Sequence, residues 1–135
     1  MMNRYVNPSG NIKYSDEKEL CEQLELFYFP DFFDNNWKPI ENETKEVWIS
    51  KYSRIDYYGI KENKETYVEV KNWFVKKREL QQIIFYKTQL KEKELYLICG
   101  GIEKKRLKIL EENNIKTILV KDIKEINPEE VVYWM

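Results

Sequence analysis

Apolar and β-prone side chains alternate with polar ones from Arg54 to Asn72, as RIDYYGI, then KENK, then ETYVEVKN. A period of two predicts two half-buried strands joined by a polar turn over Lys61 to Lys64. A hairpin centred on that turn sets Asp56 across from Glu69 and Arg54 across from Lys71. Alternation then gathers Asp56, Glu69 and Lys71 on one face and turns Ile55, Tyr57, Val68 and Val70 to the other.

Elsewhere the period lengthens. Leu20, Cys21, Leu24, Phe27 and Tyr28 make a helical stripe that starts at Ser15, with Asp16 as cap, Glu19 three residues on and Pro30 as the stop. Glu17 falls within the arc of that stripe, where a carboxylate needs a partner or a metal; in the plainer reading it is a solvated first-turn acid. Met1 to Tyr14, with a turn at Asn7 to Gly10, reads as a surface tail or short extended piece, and Phe29 to Thr44 as an irregular loop. Lys45 to Ser53 alternates as a strand, with Val47 and Ile49 inward, leading into the hairpin as the first of three antiparallel strands. Lys76 to Leu90 has helical spacing, Leu95 to Cys99 is a short apolar strand, Glu103 to Asn113 is a helix and Ile115 to Val120 is another strand. This alternation predicts a mixed sheet flanked by helices. Glu125 to Met135 reads as a short helix started by Pro128.

The 135 residues, 42% hydrophobic, suit one domain with one core. Lys and Arg number 23 against 24 Asp and Glu, so attraction to a polyanion must rest on local patches. No apolar run reaches membrane-spanning length and no signal pattern opens the chain, so a cytoplasmic protein with no membrane contact is expected. Cys21 and Cys99 sit in apolar stretches and read as core. With no histidine, the Ser-His, Cys-His and His-metal sites fall away, and no phosphate-binding glycine loop is present. Carboxylate, lysine, tyrosine and hard-metal chemistry remain.

Asp56 followed by Glu69-Val70-Lys71 fits the pattern D-x(n)-[DE]-x-K. Three other tripeptides, Glu43 to Lys45, Glu62 to Lys64 and Glu103 to Lys105, share its E-x-K form. Only Glu69 to Lys71 lies in an apolar strand, behind an acid on the preceding strand and a glutamate on an earlier helix. Gln82 and Tyr86 add Q-x-x-x-Y on the next helix. Together these residues resemble the PD-(D/E)xK nuclease superfamily, in its RecB-like branch, and look most like the nuclease domain of the NucS endonucleases over Asp16 to Gly100. The separate DNA-binding domain of NucS-like proteins has no counterpart in these residues.

The resemblance implies a restriction-endonuclease-like α/β fold, with a mixed central sheet flanked by helices, and a metal-dependent nuclease acting on DNA. Mg²⁺ or Mn²⁺ would be held by Asp56, Glu69, the Val70 carbonyl and Glu17, oxygen ligands that suit a hard cation. Lys71 would orient the attacking water or offset charge on phosphorus, Gln82 would position substrate or Lys71, and Tyr86 would help hold the site. Lys76, Lys77 and Arg78, near Trp73, would contact phosphates and stack on an unpaired base. The basic run Lys104, Lys105, Arg106 and Lys108 reads as plain helix surface. Small size and near-neutral charge suggest a homodimer or a partner protein that supplies DNA affinity. Two readings compete: a surface ion-pair ladder in place of the site, and a catalytically silent binding or regulatory module on the same fold.

Overall fold

The computed structural model describes residues 4–39, 48–50 and 53–126. Its centre is the hairpin of β6 (Tyr57–Lys61) and β7 (Lys64–Phe74). Their register runs from Tyr57↔Val68 to Lys61↔Lys64, as the alternation requires. The turn is tighter than expected: Lys61 and Lys64 still pair, and only Glu62 and Asn63 turn the chain, both at positive φ (52° and 65°). Two consecutive left-handed residues match the right-handed twist of the strands they join.

Five strands form the main sheet, in the order β3 (Asn35–Pro39), β6, β7, β8 (Glu94–Gly101), β9 (Lys116–Leu119). β3, β6 and β7 are antiparallel, whereas β8 and β9 run parallel to β7 through crossovers that contain α3 (Lys77–Leu90) and α4 (Lys104–Glu112). The expected mixed α/β sheet flanked by helices is therefore present. Tyr57, Val68, Val70 and Ile98 pack with Leu20 and Leu24 of α1 (Glu17–Phe27), and Tyr67, Leu95, Leu97 and Cys99 pack with Leu80, Ile83, Tyr86 and Leu110 of α3 and α4. Both faces of β8 are buried, which explains its unbroken apolar run.

Several expectations are corrected. Phe29 to Pro39 is ordered, as a one-turn helix α2 (Phe29–Phe32) followed by β3. Pro30 stands in the first turn of α2, where its missing N–H costs nothing. Phe29 packs on Phe32, Phe33, Trp37 and Tyr57, so the aromatic run builds core. The third antiparallel strand is β3: β4 (Trp48–Ser50) and β5 (Ser53–Arg54) form a small ladder of their own, in which Arg54 pairs with Trp48 and not with Lys71. Ile55 lies in the α3-side core and not with Tyr57, because the chain bends at Asp56 and alternation fails there. Phe27 is half exposed at the end of α1. Residues 40–44 of the expected loop, 45–47 and 51–52 of the expected strand, and the helix expected from Pro128 lie outside the described residues.

The N-terminal segment is a hairpin, β1 (Arg4–Val6) and β2 (Ile12–Tyr14), with Val6, Ile12 and Tyr14 buried in the α1-side core. It docks where the β7–β8 register shifts after Lys71. Tyr14 N–H donates to Asn72 Oδ1 at 3.0 Å, and a Cβ on Gly100 would stand 2.5 Å from the Ile12 carbonyl oxygen and 2.7 Å from that of Asn72. Glycine is needed there because three backbones meet. No described helix is long and apolar enough to cross a membrane.

Candidate active site

Asp56 occupies the bend just before β6, and its side chain turns across the hairpin, where Oδ2 accepts a 2.8 Å hydrogen bond from the Val70 N–H. That bond carries the carboxylate to Glu69, the residue that the register places opposite. Glu69 is buried, with 3% of its surface exposed. Burial, then the charge of Asp56 and a hydrogen bond to it, push the Glu69 carboxyl well above the usual glutamate range, while Lys71 pulls the other way. Two acids in contact at a buried position cannot both hold a negative charge without a compensating cation or a shared proton.

Lys71 supplies part of that compensation. Its Nζ lies 3.5 Å from Glu69 Oε2 and donates to Gln82 Oε1 at 3.3 Å, so α3 helps fix where the charge sits. Burial alone would lower the Lys71 pKa, but Glu69, Glu17 and Asp56 outweigh it and raise it. Lys71 is thus a cation at neutral pH.

Glu17 opens α1, where the Asp16 carboxylate caps the helix by accepting from Glu19 N–H at 2.7 Å. Although Glu17 is exposed over much of its surface, desolvation and then Asp56 raise its pKa, with Lys71 lowering it and Glu79 raising it. Glu17 therefore lies within electrostatic reach of the pair. Tyr86, four residues after Gln82, is buried in the core beneath α3. Lys76, Lys77 and Arg78 are exposed at the start of α3. Trp73 is half-buried, edge-on to Phe74 at 4.6 Å, with Lys13 Nζ 5.9 Å from its ring centre.

Two features escaped sequence reasoning. Glu79 accepts from Lys76 N–H at 3.0 Å and also acts on Glu17 and Lys71. Its place three residues before Gln82, on the same helix face, is the signal that could have found it. Behind Asp56, the Tyr57 hydroxyl donates to Glu25 Oε2 at 2.6 Å and shares a hydrogen bond with Cys21, tying α1 to β6. Desolvation pushes both cysteine thiols up to about 12, so neither is a thiolate nucleophile at neutral pH.

Among the described residues no three acidic or thiol side chains gather closely enough to enclose an ion. What the site offers a cation is the Asp56–Glu69 pair. An all-oxygen pair at one point fits a small hard ion that keeps much of its water, as Mg²⁺ does, and does not fit a tetrahedral zinc cage.

Solved structures show where else this arrangement of elements occurs. A repair endonuclease from Pyrococcus abyssi superposes with a TM-score of 0.59 at 18% identity, over 78% of this chain and 47% of its own. This chain shares its fold with that protein. An EndoMS–dsDNA complex superposes with a TM-score of 0.56 at 17% identity, over 76% of this chain and 43% of its own. The chain spans less than half the length of either structure. No family model matches the sequence, and no curated relative is found for it.

Proposed function

We propose that the protein is a metal-dependent nuclease that hydrolyses phosphodiester bonds in DNA, a PD-(D/E)xK enzyme of the RecB-like, NucS-like kind. The observation that carries this reading is the buried Asp56–Glu69 contact with Lys71 against it. A surface ion-pair ladder would leave such groups in water and one to one. Here a buried glutamate lies against a half-buried aspartate with one lysine paired to the glutamate, an arrangement that is unfavourable unless a further cation is meant to join it.

Asp56, Glu69 and the Val70 carbonyl would hold Mg²⁺ or Mn²⁺, with Glu17 adding negative charge nearby and not a third carboxylate in contact; when bound, the ion would neutralise substrate charge and make a water acidic enough to attack. The rest falls to this chain's own groups. Lys71, a fixed cation, orients the attacking water and offsets the charge that grows on the phosphoryl oxygens. Gln82 holds Lys71 Nζ in place by its hydrogen bond, and Tyr86 packs the helix that carries Gln82. Lys76, Lys77, Arg78 and Trp73 lie beside the site and suit phosphate contact and base stacking. Likeness to endonucleases, one of them in a DNA complex, supports the choice of substrate.

Purified protein is expected to cut DNA only with Mg²⁺ or Mn²⁺, and Lys71→Ala to abolish cleavage while the circular dichroism spectrum stays unchanged. Full activity in that variant would overturn the reading. Calorimetry with Mn²⁺ separates the enzyme from a silent module of the same fold, which would bind none.

A further inference from the structure

The basic residues at the start of α4 looked like ordinary helix surface in sequence. In the fold, α4 begins beside the start of α3. Arg106 Nη1 donates to the Val75 carbonyl at 2.8 Å, and Val75 N–H donates to the Gly101 carbonyl at 3.2 Å. These bonds lock the loop entering α3 to the loop entering α4, and the two helices touch. Lys104 and Lys105 therefore lie along the carboxyl ends of the parallel strands with Lys76, Lys77 and Arg78, all exposed. The candidate site adjoins this edge: Gln82 is five residues into α3, about 8 Å along its axis.

Pairing separates these cations from three lysines at the opposite ends of the strands. At the opposite ends of the strands, Lys64 and Lys116 each lie within 3.6 Å of a Glu94 oxygen, and Lys93 lies 3.7 Å from Glu65. Lys76, Lys77, Arg78, Lys104, Lys105 and Lys108 make no ion pair with any described residue. The two acids within this run are engaged elsewhere, Glu79 in capping α3 and Glu103 with Arg106 at 3.8 Å. In a chain of net charge -1, one edge is thus left with unneutralised positive charge.

We propose that Lys104 and Lys105, with Lys108 one turn on, form a second phosphate-holding segment that continues the Lys76–Arg78 patch. A nucleic-acid backbone would then lie across the carboxyl ends of β7 and β8, held on the side of α3 away from Asp56 as well as at the site. Open α/β sheets bind ligands at that end of their strands. The proposal rests on the nucleic-acid partner of the nuclease reading, but not on cleavage.

The test is fluorescence anisotropy with a labelled DNA duplex, in chelator and without divalent metal, so that binding is read without cutting. Lys104→Ala/Lys105→Ala is expected to weaken binding about tenfold near 0.1 M salt and to reduce the slope of log affinity against log salt by about 2. Lys93→Ala/Lys116→Ala, at the opposite edge, is expected to change neither. A matched RNA duplex that showed the same loss would uphold the segment and assign it to RNA. Unchanged affinity and slope in the Lys104/Lys105 variant, with wild type binding tightly, would overturn the segment and leave the nuclease reading standing. Wild type that binds neither duplex would overturn the segment, while cleavage with Mg²⁺ or Mn²⁺ decides the nuclease reading separately.

Discussion

Acids and lysines meet at both ends of the central strands, with opposite physical results. At the bend before β6, Glu69 and Lys71 face each other with side chains 5% and 19% exposed, and Asp56 crowds the same point. At the other end a cavity of about 710 Å³ is lined by Lys87, Lys91, Glu94, Glu111 and Lys116 among others. Yet its Lys116 is 55% exposed, and Glu94 has two lysines to neutralise it. Water screens those charges and pairing satisfies them, so the cavity holds no strained group. Chemistry is favoured where charge is buried and unbalanced, and volume alone is a poor guide to it.

The largest expected contrast between the two ends is catalytic. Lys71→Ala should lower kcat by at least about a thousandfold, as expected for removal of a group that stabilises transition-state charge. The fold should tolerate it, because the truncated residue leaves Glu69 free to take up a proton. Single-turnover cleavage beside a thermal melt reads both effects.

Gly100→Ala should act on stability instead. The added Cβ would meet two backbone carbonyls, of Ile12 at 2.5 Å and of Asn72 at 2.7 Å, and neither can move as a side chain could. A cost of about 3 kcal/mol is expected, at the upper end for overpacking. Hydrogen exchange should show β1 and β2 losing protection before the main sheet does.

The same hairpin marks where sequence reasoning stopped. Register, pairing and the meeting of Asp56, Glu69 and Lys71 were legible, because a period of two with a fixed turn admits one alignment. Gln82 was legible only through the resemblance that Q-x-x-x-Y carries, not through the helix period. The bend at Asp56 was not: it puts Ile55 on the α3 side, where alternation had placed it with Tyr57. Nor was the docking of Ile12 and Tyr14 over Gly100, since a contact between residues far apart in sequence leaves no local period. The lysines of α4 read as plain surface for the same reason, since their place beside α3 depends on two loops tied by Arg106 and Val75, far apart in sequence. Glu79 is different: the helix face it shares with Gln82 was a local signal, and it went unused.

A subtler difference between the two ends is the response to pH without metal. The folded Glu69 carboxyl titrates above its ordinary value of 4.5, chiefly through burial and Asp56. Its contribution to stability is therefore complete below that value and is lost as pH rises through the folded one. Metal-free protein should lose stability at this site on going from acid to neutral pH. Glu69→Gln should remove that part of the slope and melt higher than wild type at neutral pH, while no longer gaining stability from Mn²⁺. A Glu69→Gln variant that melted lower than wild type in chelator would show that the pair is not frustrated.

Lys116→Ala is expected to do least. Its Nζ lies 3.6 Å from Glu94 Oε2 and 3.4 Å from the Tyr96 hydroxyl, contacts that on their face match those of Lys71. Exposure decides otherwise. A pair this open to water and salt is worth below about 0.5 kcal/mol, and Lys64 stays 3.4 Å from the other oxygen of Glu94 to take up its charge. Denaturant midpoints of wild type and variant should coincide within error, and cleavage rates should agree. A loss of activity in Lys116→Ala comparable with that in Lys71→Ala would place chemistry in the far cavity, and burial would then not be what selects the reacting charge.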